Sequence, residues 1–232
     1  MHVEIWSDIA CPWCYVGKRR FETALAGFEH AADVRVTWRS FELDPAAPAE
    51  REHDVTTHLA EKYGTSREQA EAMEQRMTET AAAEGLDFRF DLVRSGNTFD
   101  AHRLLHLAAA NDLQDAMKER LMRAYLTEGA AIGNPDVLQG LAVEVGIPAD
   151  EAADLLAGDL FADEVRVDER TAAGLGIHAV PFFVIDRALG ASGAQSFEFL
   201  TKLLAKAWEQ RSPLTLVGEG EGEGDACAVD GC

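Results

Sequence analysis

The sequence predicts an α/β fold in which one sheet is interrupted by a large all-helical insertion, in the order β-α-β, helical block, β-β-α. Three observations carry this. Strand-like alternation is confined to the two ends of the chain. Helical signals run between them, from roughly residue 51 to 174. Neither end holds strands enough for a sheet of its own, so an insertion fits better than two tandem domains. The expected division is residues 1–45 with 175–212 for the sheet domain, 46–174 for the helical insertion, and 213–232 for a tail.

Each element has its own signal. Val3 to Ser7 alternates and is rich in β-favouring residues, so it reads as a strand. Pro12 suits the first turn of a helix, where a missing N–H costs nothing. Cys14, Phe21, Leu25 and Phe28 follow at spacings that share one helical face. Val34 to Phe41 alternates again. Asp44 to Pro48 is a breaker. Thr65-Ser66-Arg67-Glu68 reads as a capping box before a long Ala/Glu/Met-rich helix. Asn97 or Thr98 caps a helix through Leu107, Gln114 to Glu128 forms another, and Asn134-Pro135 starts a third. Further helical stretches begin at Asp150 and Phe161. Pro181 to Ile185 is an apolar β-rich run, Asp186-Arg187 a turn, and Ala188 to Ser192 a short returning strand. Ser196 caps a last helix, Phe197 to Gln210.

Composition limits the function. The 232 residues carry a net charge of −20, which repels nucleic acid and anionic membrane surfaces. No apolar run approaches the roughly 18 residues of a membrane span. Met1-His2-Val3-Glu4 lacks the basic start of a signal peptide, so the expected location is the cytoplasm. The four cysteines form two close pairs, Cys11 with Cys14 and Cys227 with Cys232. In a chain of this kind, reactive or metal-binding thiols are a better reading than a stapling disulfide framework.

The pair Cys11-Pro12-Trp13-Cys14 has a definite chemical use. Two thiols three positions apart can close a disulfide across one helical turn. The first sits at a helix N-terminus, where unpaired N–H groups and the helix dipole favour an anion. The expectation is that the Cys11 pKa falls from about 8.5 into the range of roughly 3.5 to 7.5. Cys11 is then the attacking thiolate, and the more buried Cys14 resolves the mixed disulfide. A zinc site built from both cysteine pairs competes, but C-x₄-C is a poorer ligand spacing, and the expected metal content is none.

Cys11-Pro12-Trp13-Cys14-Tyr15, Trp38 to Pro45, Asn97 to Leu104, and Val180-Pro181-Phe182-Phe183 before Gly190 to Gln195 together resemble the FrnE branch of the DsbA family. The resemblance covers nearly the whole chain. It implies a thioredoxin-like fold with a helical insertion over the active site, and dithiol–disulfide exchange including isomerisation. It implies Cys11 as nucleophile, Cys14 as resolving thiol, and Pro181 as a cis-proline whose neighbour Val180 pairs with substrate backbone. Exported DsbA proteins commonly have histidine where Trp13 stands. Trp13 carries no charge to hold a thiolate, so a weaker oxidant is expected. Cys227 and Cys232 match a C-terminal C-x₄-C pair of some FrnE-like proteins. On a Gly/Glu-rich linker, expected to be flexible, that pair is a candidate auxiliary redox pair.

Other candidates weigh less. His178, three residues before Pro181, is a candidate neighbour of the thiols. His102 and His106 share a helix face but lack the glutamate of a metalloprotease motif, so a surface or half-buried pair is the better reading. Asp8 is a turn cap or a tuner of Cys11. Trp38, Phe99 and Trp208 read as core, with Phe99 also a candidate for the cleft wall. The expected partners are thiol- or disulfide-containing proteins or small thiols, with no tightly bound cofactor and with glutathione or another low-molecular-weight thiol as co-substrate. A homodimer is left open. The rival function is a glutathione-dependent small-molecule isomerase or transferase of the kappa and 2-hydroxychromene-2-carboxylate isomerase type, which typically has serine where Cys11 stands.

Overall fold

The computed structural model describes residues 1–211. The expected tail, and with it the Cys227–Cys232 pair, lies outside the described residues.

The chain opens with β1 (His2–Ser7), α1 (Pro12–Ala26) and β2 (Arg35–Ser40), and closes with β3 (Phe182–Ile185), β4 (Leu189–Ser192) and α9 (Phe197–Glu209). Among the described residues the strands form one sheet in the order β2-β1-β3-β4. β1 runs parallel to β2 and antiparallel to β3, and β3 pairs antiparallel with β4. The β-α-β opening and the β-β-α closing therefore share a sheet, as the sequence predicts. Asp186 and Arg187 make the β3–β4 turn, both with positive φ. Each compensates for that backbone with a fixed side chain: Asp186 Oδ1 accepts the His2 N–H, and Arg187 binds Glu4.

β1 is one of the two inner strands and is covered on both faces. Val3 and Ile5 face one core with Phe21, Phe183, Leu200 and Leu204, beneath α1 and α9. Trp6 faces a smaller cluster with Ala172, Ile177 and Val184. The alternation of Val3, Ile5 against Glu4, Trp6 is the two-residue period of a strand.

Between β2 and β3 lie α2 (Val55–Tyr63), α3 (Arg67–Ala83), α4 (Phe99–Ala110), α5 (Gln114–Leu126), α6 (Pro135–Glu144), α7 (Ala149–Ala157) and α8 (Ala162–Gly174). Their shared core holds Leu104, Leu121, Met122 and Leu138, and it also takes in Ile9, Cys14, Tyr15 and Val16. The first turns of α1 thus belong to the helical block's core, and its later turns to the sheet's.

Two local readings are corrected. The α3 capping box is set one residue later than expected: Ser66 is the N-cap and Gln69 its partner. Helix also does not run unbroken from 51 to 174. Gly85 takes φ 74° after α3, and no helix forms until α4. Leu86, Phe88 and Val93 in this loop are buried, and Arg89 N–H donates to Leu126 O at 2.8 Å. Apolar burial there is achieved by long-range contact.

The segment after β2 is strapped down. Asn97 N–H donates to Pro48 O and Arg51 N–H to Ser95 O, both at 2.8 Å. A Cβ at Gly96 or Gly133 would collide with the Ala49 carbonyl. Both positions therefore need glycine, for space alone.

Candidate active site

Cys11 is the N-cap of α1, with extended backbone (φ −90°, ψ 111°), and Pro12 fills the first helical position. Cys14 N–H donates to Cys11 O at 3.0 Å, closing the turn that carries both thiols. Among the described residues both cysteines are free, and both are buried, Cys14 completely and Cys11 with 5% of its surface exposed. Cys11 Sγ donates to Val180 O at 3.8 Å, and the Val180–Pro181 peptide is cis. Pro181 rests directly on α1 at Gly17, where a Cβ would lie 2.9 Å from Pro181 Cγ. Gly17 thus sets how near the Pro181 loop comes to the thiols.

Behind the thiols is a buried polar cluster. Asp8, next to the end of β1, accepts the Leu43 N–H at 2.8 Å and the Ala10 N–H at 3.3 Å. It is therefore a turn cap, but it also faces His102 of α4, whose Nε2 lies 3.4 Å from Asp8 Oδ1. Lys118 of α5 is fully buried, donates to Ser7 O at 3.2 Å, and stands 5.6 Å from the Trp38 ring centre. Burial draws its ammonium down to about 8, against the pull of Cys14 and Asp8. Burial likewise lowers His102. Burial alone would raise Asp8, but His102, the Leu43 N–H and Lys118 outweigh it and hold the carboxyl below its usual range.

The two thiols titrate as a unit, because a second charge cannot be held beside the first in a buried site. Cys14 is the more acidic member. Burial opposes its ionisation, but the neighbouring Cys11 thiol and the Lys118 cation bring it below the ordinary thiol value. Cys11 is pushed up by its bond to Cys14 and by burial. The lowered pKa that the sequence expects at Cys11 thus belongs to the pair as a whole. The helix N-terminus is where the sequence puts it, but Cys11 also faces a carbonyl acceptor that favours its protonated form, and the buried cation acts chiefly on Cys14.

A cavity of about 210 Å³ opens beside Cys11, lined by Asp8, Pro12, Trp13, Leu43, Arg51 and Tyr63 among others. A second, of about 440 Å³, adjoins it and shares Pro12, Trp13, Leu59, Tyr63 and Phe90. Trp13 and Tyr63 are half exposed between the two. Cys14 does not line either cavity.

The structure brings Cys11, Pro12, Trp13, Cys14, Val180 and Pro181 together. His178 is exposed and lines neither cavity; Ile177 is the residue of that loop that turns inward. Phe99 lies under the Arg166 guanidinium at 4.4 Å, away from the cleft wall. His102 is fully buried at Asp8, contrary to the expected surface or half-buried pair, while His106 contacts Ser40 and Asp168. Lys118 escaped sequence reading, although Leu121 and Met122, three and four residues on, place it on the buried face of α5.

Comparison with known proteins agrees with this geometry. Residues 2–205 match the family model of the DSBA-like thioredoxin domain. The chain is 30% identical over 203 residues to the uncharacterized protein YwbO of Bacillus subtilis, covering 85% of this chain and 94% of that one. The crystal structure of probable DsbA oxidoreductase SCO1869 from Streptomyces coelicolor shares 49% identity, with a TM-score of 0.93 over 100% of this chain and 98% of that one. At 18% identity, the cytosolic disulfide reductase DsbM from Pseudomonas aeruginosa, solved with GSH, shares the fold, with a TM-score of 0.64 over 90% of this chain and 100% of that one. With a family match over most of its length and a thioredoxin-like sheet carrying a helical insertion, the chain belongs to the DsbA-like thioredoxin domain family.

Proposed function

We propose that this protein catalyses thiol–disulfide exchange through Cys11 and Cys14, with Cys11 as the nucleophile. One observation carries the assignment: Cys11 is the sulfur that lines the cavity and meets Val180 O, while Cys14 is sealed behind it. In this reading the reduced pair reacts once it has lost one of its two thiol protons. Transfer of the Cys11 proton to the Cys14 thiolate generates the nucleophile. Cys11 S⁻ then attacks a substrate disulfide, forming a Cys11–substrate disulfide and expelling one thiolate. Cys14 passes its proton to the first expelled thiolate, attacks Cys11 Sγ and releases the second substrate thiolate, so that one thiol and one thiolate leave. Two electrons pass to the substrate, and the Cys11–Cys14 disulfide forms. The reverse sequence oxidises a dithiol. Val180 O, freed from Cys11, is an acceptor for substrate backbone beside Pro181.

Low-molecular-weight disulfides and thiol-containing proteins are both substrates in this reading, with glutathione or another small thiol as the recycling reductant. The size of the cleft and the likeness of fold to DsbM support the small-thiol part. The location that suits this chemistry is the cytoplasm, and among the described residues no helix is long and apolar enough to cross a membrane. Cys227 and Cys232 pass electrons to the central pair in the same reading; deletion of residues 218–232 should slow turnover, and unchanged turnover would remove them from the cycle.

The test of the core assignment is trapping. A Cys14→Ser protein should accumulate a mixed disulfide with a model disulfide, and Cys11→Ser should form none. A mixed disulfide on Cys14 in the Cys11→Ser protein would reverse the roles. An ordinary thiol pKa near 8.5 with no stable Cys11–Cys14 disulfide would sink the redox reading.

A further inference from the structure

We infer that the mouth of the cavity beside Cys11 is a carboxylate subsite, built on Lys62 with Arg51 and His58, that selects small anionic thiols and disulfides. The inference rests on the exchange reading above and names its substrate class.

Size is the first support. A cavity of about 210 Å³ adjoining one of about 440 Å³ suits a small molecule or a short peptide arm. A folded surface could not enter it far enough to fill it.

Charge is the second. The chain as a whole carries −20, which repels anions. Arg51, His58 and Lys62 nevertheless line this one cavity, all carried by α2 or the residues just before it. Arg51 is paired with Asp44. Asp8, the other carboxylate of the lining, is turned to Leu43 N–H and His102 and answered by Lys118. Lys62 is exposed and has no ion pair among the described residues. Lys62 is therefore the cation of this lining that is free to meet an anionic group on a ligand.

His58 reports the local potential. Burial first, and then the cations Arg51 and Lys62, hold its pKa below the usual histidine value, against Asp44 and Glu61. The rest of the lining is largely apolar, with Ala10, Leu43, Val55, Leu59, Val93 and Leu126. A small ligand that carries a sulfur and a carboxylate on an otherwise apolar frame matches this mixture.

The experiment uses the full chain and three disulfides of different charge: glutathione disulfide (anionic), 2-hydroxyethyl disulfide (neutral) and cystamine (cationic). The expected order of kcat/KM is anionic, neutral, cationic. In Lys62→Glu, the ratio of glutathione disulfide to 2-hydroxyethyl disulfide should fall about tenfold at low salt, because attraction becomes repulsion. Lys202→Glu, the same charge change on exposed α9, should leave the ratio as it was. A ratio that survives Lys62→Glu, or that falls equally in Lys202→Glu, overturns the subsite. A second readout does not need turnover. In Cys11→Ser, reduced glutathione should raise the His58 pKa followed by NMR; an unmoved His58 overturns the subsite. If none of the three disulfides is turned over, the exchange reading fails instead, and the His58 titration alone decides whether an anion binds here.

Discussion

Two buried charge clusters flank β1, and they are built on opposite terms. At Glu4 every oxygen is taken. Arg39 donates to Oε1 at 2.9 and 2.7 Å, and Arg187 donates to Oε2 at 2.8 Å and to Oε1 at 2.9 Å. Asp168 completes that network through Arg39 and the Ser40 N–H. Behind the thiols, by contrast, Ser7 Oγ and both His102 ring nitrogens lack a hydrogen-bond partner among the described residues, where Lys118 makes a single bond, to a carbonyl. A fully satisfied cluster fastens the fold; an incompletely satisfied one costs stability and is kept where its charge can act on something else. The first ties the β3–β4 turn to β1 and β2. The second sets the charge on Cys14.

The contrast can be broken from either side. The largest effect is expected at Glu4. Glu4→Gln leaves Arg39 and Arg187 without their shared carboxylate and should cost about 3 kcal/mol in denaturant unfolding. The redox kinetics should stay the same. The Arg187 and Arg39 hydrogen bonds hold the Glu4 pKa at about 2, against burial. A carboxyl lowered by folding stabilises the native state above its unfolded value, near 4.5, and loses that contribution as pH falls toward 2. The wild type should weaken through that window, and Glu4→Gln should flatten the curve.

Lys118→Met should have the opposite sign. The folded pKa of Lys118, about 8, lies below the ordinary 10.5. Between those values the unfolded chain binds more protons, so stability rises with pH, and the cost of burial is fully present below 8. Removing the charge should stabilise the fold by about 2 kcal/mol at pH 7. It should also raise the first thiol pKa of the pair, read by thiolate absorbance. A variant that is less stable, with an unchanged thiol pKa, would show the cluster to be a structural clamp like the one at Glu4.

Gly17→Ala probes the contact between α1 and Pro181. The added methyl meets Pro181 and should cost roughly 1–2 kcal/mol, after the better helix propensity of alanine is counted. Mixed-disulfide formation at Cys11 should slow with it. A neutral or stabilising outcome would mean that the loop yields.

The smallest effect is electronic. With Trp13 in place of a cation, the Cys11–Cys14 couple should lie well below about −120 mV, and Trp13→His should raise it by about 30 mV, or about 1.4 kcal/mol. A wild-type potential near −120 mV would assign the oxidising power of such proteins to something other than that side chain.

What could be read from the sequence was what neighbours in sequence decide. The order of strands, the Pro12 helix start, the Asn134 cap and the Ser196 cap all follow from residues within a turn of one another, and all are present. The pairing of Cys11 with Val180 was reachable only through family resemblance, since 169 positions separate them. The loop after α3 was misread because Leu86, Phe88 and Val93 are apolar for the sake of distant partners, which local patterning does not reveal. The buried cation near the thiols was missed for the same reason: Lys118 arrives on α5, far along the chain from Cys14.

The strap at Ala49 bears on how substrates enter. A lid needs a joint, and the natural one would be the connection from β2 to the helices. That connection is held between Gly96 and Gly133, too closely for a single added methyl, and is hydrogen-bonded along its length. The wall of the cleft is accordingly fixed when the chain folds, and admission falls to side chains, above all Trp13 and Tyr63. An arriving molecule therefore meets a wall already in place, with Trp13 and Tyr63 as the side chains it must pass before any thiol is reached.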